Sequence, residues 1–199
     1  MNYTTTDNLS ETCSLSQKLY DGLQFDQLIP VDDLEENEFN HKLYKNYASK
    51  KNQEYIERLA QQIEEQGLQR TPIVFSDVPL LIGGHHRKRA LKLLGVSHIP
   101  VRKNDKNYTW KEFKNRPLDI MIIMASDNQR PEETEFDYHC ALMALIEAYK
   151  VQYDSDPSMK QIQSFGATAG FSYKKYCAYK KLINGGPYTH PKTGQVINL

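Results

Sequence analysis

The chain has 199 residues, of which 39% are hydrophobic and 25% are charged, and these values are typical of a globular protein with one domain of ordinary size and a smaller one. No apolar stretch approaches the roughly 20 residues of a membrane-spanning helix, and the polar N-terminus is unlike a signal peptide, so a cytoplasmic location is expected. The three cysteines are far apart and lack zinc-ligand spacing, which argues against disulfides and structural zinc.

The charged residues are unevenly distributed although the net charge is zero. Residues 157–199 contain six lysines and no Asp or Glu, so the rest of the chain has an excess of six acidic residues. An acidic body with a basic end indicates that this end contacts nucleic acid.

The N-terminal part of the chain predicts three regular elements after a lead-in, residues 1–24, to which we assign no function. Residues 25–34 alternate in hydrophobicity and include Pro30, which favours an edge strand. Residues 52–66 have apolar side chains at helical spacing and are followed by a glycine, a pattern that predicts an amphipathic helix. Residues 71–75 predict a buried strand.

Residues 80–100 predict a strand, a glycine turn, a basic helix and a second strand. The apolar run that begins at Leu80 ends at Gly83 and Gly84, which allow a sharp turn and a close approach to a ligand. Gly95 is expected to end the helix, and the second strand follows it. The segment lacks the Gly-Lys-Ser/Thr ending of a Walker loop, so it is not a P-loop.

The helix after Gly84 has an unusual concentration of basic side chains at its start. Cations there oppose the helix dipole at a cost of about 0.3–1 kcal/mol each, whereas a bound anion would reverse this effect. Free backbone N–H groups and nearby Arg and His side chains are suited to phosphate. The alternative is an ordinary strand-turn-helix with a solvated basic face. The phosphate hypothesis assigns the ligands to Gly83, Gly84, His85, His86, Arg87 and Arg89.

This segment resembles the phosphate-binding motif of the ParB/sulfiredoxin superfamily, Gly-x-x-Arg-x-x-Ala followed by Lys-Leu-Leu-Gly and Ile-Pro-Val. Residues 29–34 and 55–75 are similar to the opening strand, first helix and second strand of that family. The resemblance implies an α+β fold, with a mixed-sheet nucleotide-binding domain over residues 25–130 and a small all-α helix-turn-helix domain after it. The residues on matching motif positions are Gly84, Arg87, Ala90, Gly95, Ile99 and Pro100.

The same resemblance implies a nucleoside triphosphate ligand, CTP or ATP, with Mg. It assigns Thr71 to the rim of the base pocket. We predict a buried strand at 118–125, and ligands bind at strand ends. The family has Glu-Asn-x-Gln-Arg after that strand, with its acidic and amide groups near magnesium and phosphate. This chain has the shorter run Asp127, Asn128, Gln129, Arg130, so Asp127 is the candidate Mg ligand, and Asn128 and Arg130 are candidate nucleotide ligands.

The C-terminal part predicts a linking helix at 131–153, a helix-turn-helix at 154–184, and a tail or hairpin at 185–199. ParB proteins also place a helix-turn-helix after the nucleotide-binding domain. Full partition proteins continue into a dimerisation domain, so this chain is expected either to dimerise in another way or to have another role. The candidate DNA-binding residues are Ser172, Tyr173, Lys174, Lys175, Lys180 and Lys181.

Three functions remain open at this point. The first is a nucleotide-responsive, nucleoid-associated DNA-binding protein, whose partners are DNA, nucleotide and a second copy of the chain. The second is an enzyme on the same fold. Sulfiredoxin activity is rejected because His85 stands where that chemistry needs a cysteine. A nucleoside triphosphatase, a nuclease and a small-hydroxyl kinase remain open. In the kinase, Glu38 is the candidate base, with Glu35 and Glu36 as alternatives. The third is a DNA-binding regulator with a vestigial pocket.

Overall fold

The computed structural model describes residues 18–44, 50–127 and 135–168 and the short strands at 188–189 and 196–197. Within these ranges the strands are β1 (Gln27–Pro30), β2 (Ile73–Val74), β3 (Leu81–Gly83), β4 (His98–Lys103), β5 (Tyr188–Thr189) and β6 (Val196–Ile197). The helices are α1 (Phe39–Leu43), α2 (Lys50–Gln66), α3 (His85–Leu93), α4 (Trp110–Phe113), α5 (Pro117–Asp127), α6 (Glu135–Tyr153) and α7 (Met159–Thr168).

The chain divides into two compact units. The first, Met1–Asn37 with Tyr47–Lys114, contains a mixed sheet of described strands in the order β1-β4-β2-β3. Strand β4 pairs antiparallel with β1 and parallel with β2, and β3 returns antiparallel to β2. The edge position of β1 confirms the prediction made from Pro30, since a proline without an N–H group fits an unpaired edge.

Helices α2 and α3 pack against each other in this first unit, and their apolar faces share a buried core with the sheet. The amphipathic spacing of α2 explains why its buried residues fall on one face. Burial of this kind stabilises by roughly 25 cal/mol per Å² of apolar surface. The core residues include Ile56, Ala60, Ile63, Val74, Leu81, Ala90, Leu91, Ile99 and Val101.

The second unit, Glu38–Asn46 with Asn115–Leu199, is helical in most of its described part. Helix α1 packs on α5 and α6, and α7 packs on both of these longer helices. Strands β5 and β6 pair antiparallel, and the tail or hairpin predicted for 185–199 stays a prediction. None of the helices in the described ranges is long and apolar enough to cross a membrane.

The predicted strand at 118–125 is wrong, because these residues lie in helix α5. Pro117 occupies the first position of the helix, where its missing N–H is not needed. The Leu118 N–H donates to Oε1 of Gln152 on α6 at 3.1 Å, and Gln152 also donates to Asp119. An apolar run without alternation fits a buried helix as well as a buried strand. Here Gln152 of α6 accepts a hydrogen bond from a backbone N–H in the first turn of α5, which has no partner within the helix.

Candidate functional site

The turn between β3 and α3 is built on Gly84, which has φ +90° in the left-handed region. A Cβ atom on Gly84 would lie 2.8 Å from the Cα of Pro72 and 3.0 Å from its Cβ. The turn therefore approaches the loop between α2 and β2 more closely than any side chain allows. The strand, glycine turn and helix predicted from residues 80–93 are confirmed, and packing on Pro72 is one reason for the glycine.

The first turn of α3 combines backbone donors with basic side chains. The first N–H groups of a helix have no partner within the helix, and they carry the positive end of its dipole. The first turn of α3 contains no acidic residue, and its side chains are His85, His86 and Arg87, followed by Lys88 and Arg89. This arrangement is electrostatically suited to an anion.

Arg87 is bound to the loop that precedes β2. One of its terminal nitrogens, Nη1, donates to the carbonyl oxygens of Arg70 at 3.0 Å and Thr71 at 2.8 Å. The structure thereby brings together Thr71, which is buried, and the motif arginine. Arg87 is therefore half-buried and fixes the loop that packs on Gly84.

The two histidines of the motif are both buried. The Nε2 atom of His86 lies 2.6 Å from Oδ1 of Asn52, and its ring meets the ring of Tyr55 edge to face at a centroid distance of 5.3 Å. His86 thus joins α3 to α2. Nothing in the sequence pattern indicated Asn52 as its partner, since the two residues are 34 positions apart.

Arg89 pairs with Glu36 in a bidentate ion pair. Its Nε and Nη2 atoms each lie 2.9 Å from one carboxylate oxygen of Glu36, and the two side chains are 32% and 19% exposed. Burial would raise the pKa of Glu36, but the hydrogen bonds and charge of Arg89, together with the charges of His85 and Lys88, lower it overall. Burial lowers the pKa of Lys88. Glu36 is therefore the counter-ion of the basic helix start.

The three acids considered as a kinase base occupy different surroundings. Glu38 lies just before α1, is 71% exposed at its side chain, and pairs with Lys42 at 3.7 Å. Glu35 is exposed, and its backbone is bonded to Pro79 and Leu81. Of these acids, the structure places Glu36 beside the Gly84 motif, and the role of Glu38 as a base stays a prediction.

The remaining predicted ligands fall in two groups. Asp127 is described, and it is an exposed residue at the end of helix α5, so its predicted position at a strand end is wrong. No group of three or more His, Cys, Asp or Glu suited to a metal ion occurs in the part of the chain that the structure describes. The predicted ligands that lie outside the described residues are Asn128, Arg130, Ser172, Tyr173, Lys174, Lys175, Lys180 and Lys181.

Comparison with known proteins agrees with the geometry of the first unit. The family model of the ParB N-terminal domain matches residues 16–109, which include the sheet strands β1 to β4, helices α2 and α3, and the Gly84 turn. None of the curated proteins matches the chain. The mixed sheet with its helices confirms the α+β fold class. Residues 16–109 therefore match the ParB N-terminal domain, which is consistent with a domain of the ParB/sulfiredoxin superfamily in this part of the chain.

Proposed function

We propose that this protein is a ParB-like DNA-binding protein that responds to a nucleoside triphosphate, CTP or ATP with Mg. The phosphates bind at Gly83 to Arg87, and DNA binds at the helix-turn-helix predicted for residues 154–184. The observation that carries the nucleotide part is the start of α3, where a left-handed glycine precedes a helix with basic side chains and no acid in its first turn. In this proposal a second copy of the chain is also a partner.

The geometry around Gly84 supports phosphate binding in two ways. The left-handed conformation of Gly84 and its close packing on Pro72 define the start of α3, whose first backbone N–H groups have no partner within the helix and are suited to an anion. The bonds from Arg87 to the carbonyls of residues 70 and 71 hold one wall of the proposed pocket, including Thr71, against the turn. A nucleotide would therefore meet a preorganised surface, which lowers the entropy cost of binding.

Mg in this proposal would arrive with the triphosphate, whose oxygens are ligands that it prefers. Asp127 stays the Mg ligand predicted from the sequence. The chemistry that Mg supplies is neutralisation of phosphate charge, and the protein groups that orient the phosphates are those of the α3 start.

The DNA part of the proposal is supported by charge and by family. Residues 157–199 contain six lysines and no acid, and cationic side chains provide the sequence-independent part of DNA affinity. Helix α7, in which Ile162, Phe165 and Gly166 are buried, falls within the segment for which the helix pair is predicted and supports this part of the proposal. The second predicted helix, with Tyr173 and Lys174 near its start, lies outside the described residues.

The nucleotide part is tested by calorimetric titration of CTP and ATP, each with Mg, into three proteins. We expect wild type to bind at least one nucleotide, and Arg87→Ala to lose that binding because both a charge and the support of residues 70 and 71 are removed. Arg58→Ala, which removes an exposed arginine of α2, is the matched control and should bind as wild type does. Equal affinities of Arg87→Ala and wild type would refute the proposed site.

A second candidate function is a DNA-binding regulator whose pocket takes no nucleotide. The observation that favours it is His86, which stands where the family commonly has an arginine and whose ring is buried against Asn52 and Tyr55. DNA binding by wild type, with no heat from either nucleotide, would select this candidate.

A further inference from the structure

The loop after β1 supplies a negative charge to a helix that has none of its own at its start. Helix α3 begins with His85, and its first turn contains no acid. The Glu36 carboxylate interacts with Arg89 through two hydrogen bonds and with the charges of His85 and Lys88. Glu36 therefore already stabilises the positive start of α3, as a bound anion would.

The position of Glu36 is fixed by its neighbour in the chain. The N–H of Glu35 donates to the carbonyl of Pro79 at 2.8 Å, and the N–H of Leu81 donates to the carbonyl of Glu35 at 3.0 Å. Because Leu81 begins strand β3, which leads directly into Gly84, this pairing holds Glu36 beside the motif. Because the backbone of Glu35 is anchored, the ion pair can separate by rotation of the Glu36 or the Arg89 side chain, without movement of the loop.

A carboxylate and a phosphate compete for the same face of an arginine. Both present two oxygens to the planar fork of a guanidinium, and both form bidentate pairs with it. The Arg89–Glu36 pair uses this geometry, and its partial exposure of 32% and 19% leaves it accessible to a ligand. A fixed negative charge near a phosphate also weakens binding through Coulomb repulsion.

We infer that Glu36 is an intramolecular competitor of the anionic ligand at the start of α3, occupying Arg89 until a polyphosphate displaces it. This inference rests on the proposed anion site and deepens it, because it makes Glu36 the residue that sets how much negative charge a ligand needs in order to bind. A ligand with one phosphate competes weakly with an anchored carboxylate, whereas a triphosphate brings more charge to the same cations.

The test uses inorganic tripolyphosphate, a probe without base or sugar, titrated by calorimetry into the full chain. Glu36→Gln keeps the shape of the side chain and removes its charge, and we expect its affinity to rise on the order of tenfold. Asp32→Asn is the matched control, because Asp32 pairs with Lys92 of the same helix at 2.9 Å but is 79% exposed. Its affinity should stay within about twofold of wild type.

A double-mutant cycle separates competition for Arg89 from a general field effect. In an Arg89→Gln background, Glu36→Gln should raise the affinity for tripolyphosphate by about threefold or less, because the guanidinium for which carboxylate and phosphate compete is absent. An equal gain in both backgrounds would overturn the inference. Emission of Trp110, the single tryptophan, checks that each variant is folded, and Glu36→Ala serves as the second charge-removing variant.

The outcomes distinguish this inference from the proposed function. If wild type binds, Arg87→Ala does not, and Glu36→Gln gains nothing, the inference fails and the proposed site stands. If only Glu36→Gln binds tripolyphosphate, the inference fails, because the ligand does not displace the carboxylate in wild type. If neither protein binds tripolyphosphate, the inference is refuted, and the titrations of CTP and ATP into wild type and Arg87→Ala decide on the proposed function.

Discussion

Gly84 shows how a single position can satisfy a backbone and a packing requirement together. Its φ of +90° is rarely adopted by residues with a side chain, and the atom that a side chain would meet first is the backbone of Pro72. A flexible neighbour could move aside, but Pro72 follows the carbonyls of residues 70 and 71 that Arg87 holds. The loop therefore has little freedom to adjust to an added methyl group.

Gly84→Ala should lower the free energy of unfolding by about 3 kcal/mol, from the left-handed conformation and the clash combined. The measurement is urea unfolding followed by Trp110 fluorescence, which reports on the first unit. Gly95→Ala is the control, because Gly95 has φ +72° but no atom within 4 Å of the position that a Cβ would take, so we expect a cost of about 1–2 kcal/mol. Equal costs at the two positions would contradict the packing argument.

Tyr20 makes a pH-dependent contribution to the free energy of unfolding. Its buried hydroxyl donates to the carbonyl of His98 at 2.8 Å, and burial raises its pKa well above the ordinary value. Because the pKa of Tyr20 is higher in the folded than in the unfolded protein, its stabilisation of the folded state is complete below the pKa of the unfolded phenol, about 10. This stabilisation is lost progressively as the pH rises above that value. The phenol thus protects the native state at neutral pH and weakens it in alkali.

Tyr20→Phe should cost about 1 kcal/mol at pH 8 through the lost hydrogen bond. Above pH 10 the advantage of wild type should fall by up to about 1.4 kcal/mol per pH unit, because the unfolded phenol ionises while the folded one stays protonated. Denaturant unfolding of both proteins at pH 8, 10 and 11 measures this. A difference that does not change with pH would show that the phenol ionises equally in both states.

The individual contacts of the site were predictable only where they are local. The glycine turn and the basic helix start follow from adjacent residues, and both are confirmed. The Arg89–Glu36 pair joins residues 53 positions apart, and Arg87 reaches carbonyls 16 and 17 positions away. Such contacts form because the sheet brings distant loops together, and the spacing of residues in the sequence does not predict which loops meet.

Helix α4 shows how a very short element is held in place. It has four residues, and Thr109 and Glu112 form a reciprocal capping box at its start. Asp77, from the link between β2 and β3, accepts hydrogen bonds from the N–H groups of Trp110 at 2.6 Å and Lys111 at 3.2 Å. Isolated helices of this length are unstable in water, so these bonds and the contact between Trp110 and Phe75 maintain it.

Asp77→Ala should lower the free energy of unfolding by about 1–2 kcal/mol, since two helix N–H groups lose their acceptor. Asp105→Ala is the control, because Asp105 forms an exposed ion pair with Arg102 and is 84% exposed at its side chain, and pairs of this kind contribute about 0–1 kcal/mol. Thermal unfolding followed by far-UV circular dichroism compares the two. A smaller loss for Asp77→Ala than for Asp105→Ala would contradict the capping role.

Helices whose apolar residues recur at helical spacing were predicted correctly, whereas helix α5, whose apolar run has no such spacing, was predicted as a strand. Amphipathic spacing identified α2, and the glycine limits identified α3. Residues 118–125 have no alternation and no polar face, so their type was decided by partners outside the run, including Gln152. The error in α5 thus arose from a local pattern that fits two structures.

At the scale of the molecule, charge is separated along the chain. The six lysines of residues 157–199 have no acidic neighbours in that segment. If this end binds DNA, its affinity must fall as salt rises, because counterions are released when lysines neutralise phosphates.

The double variant Lys174→Gln, Lys175→Gln should weaken binding to a labelled random duplex and reduce the slope of log affinity against log salt by about 2. Lys50→Gln, Lys51→Gln removes two exposed lysines from the start of α2 and is the control, with no change expected. Fluorescence anisotropy at several salt concentrations provides both slopes. An equal effect of the two double variants would refute DNA binding at the basic end.

The order of strands in the sheet was beyond the reach of the sequence pattern. Gln27 of β1 faces Val101 of β4, and Ile73 of β2 faces Arg102 of the same strand. Local hydrophobicity identified each strand, but it contains no information on which distant strand lies beside it. The mixed sheet was expected through the family resemblance alone.

The central place of β4 determines when the sheet can assemble during synthesis. Both β1 and β2 use β4 as their partner, yet β4 is the last of the four strands to leave the ribosome. Until His98–Lys103 emerges, β1 has no neighbour among the described strands of this sheet and β2 has only the short β3. The nascent domain therefore cannot complete its sheet before this strand emerges, and a pause in translation before residue 98 would prolong the interval in which its apolar strands are exposed.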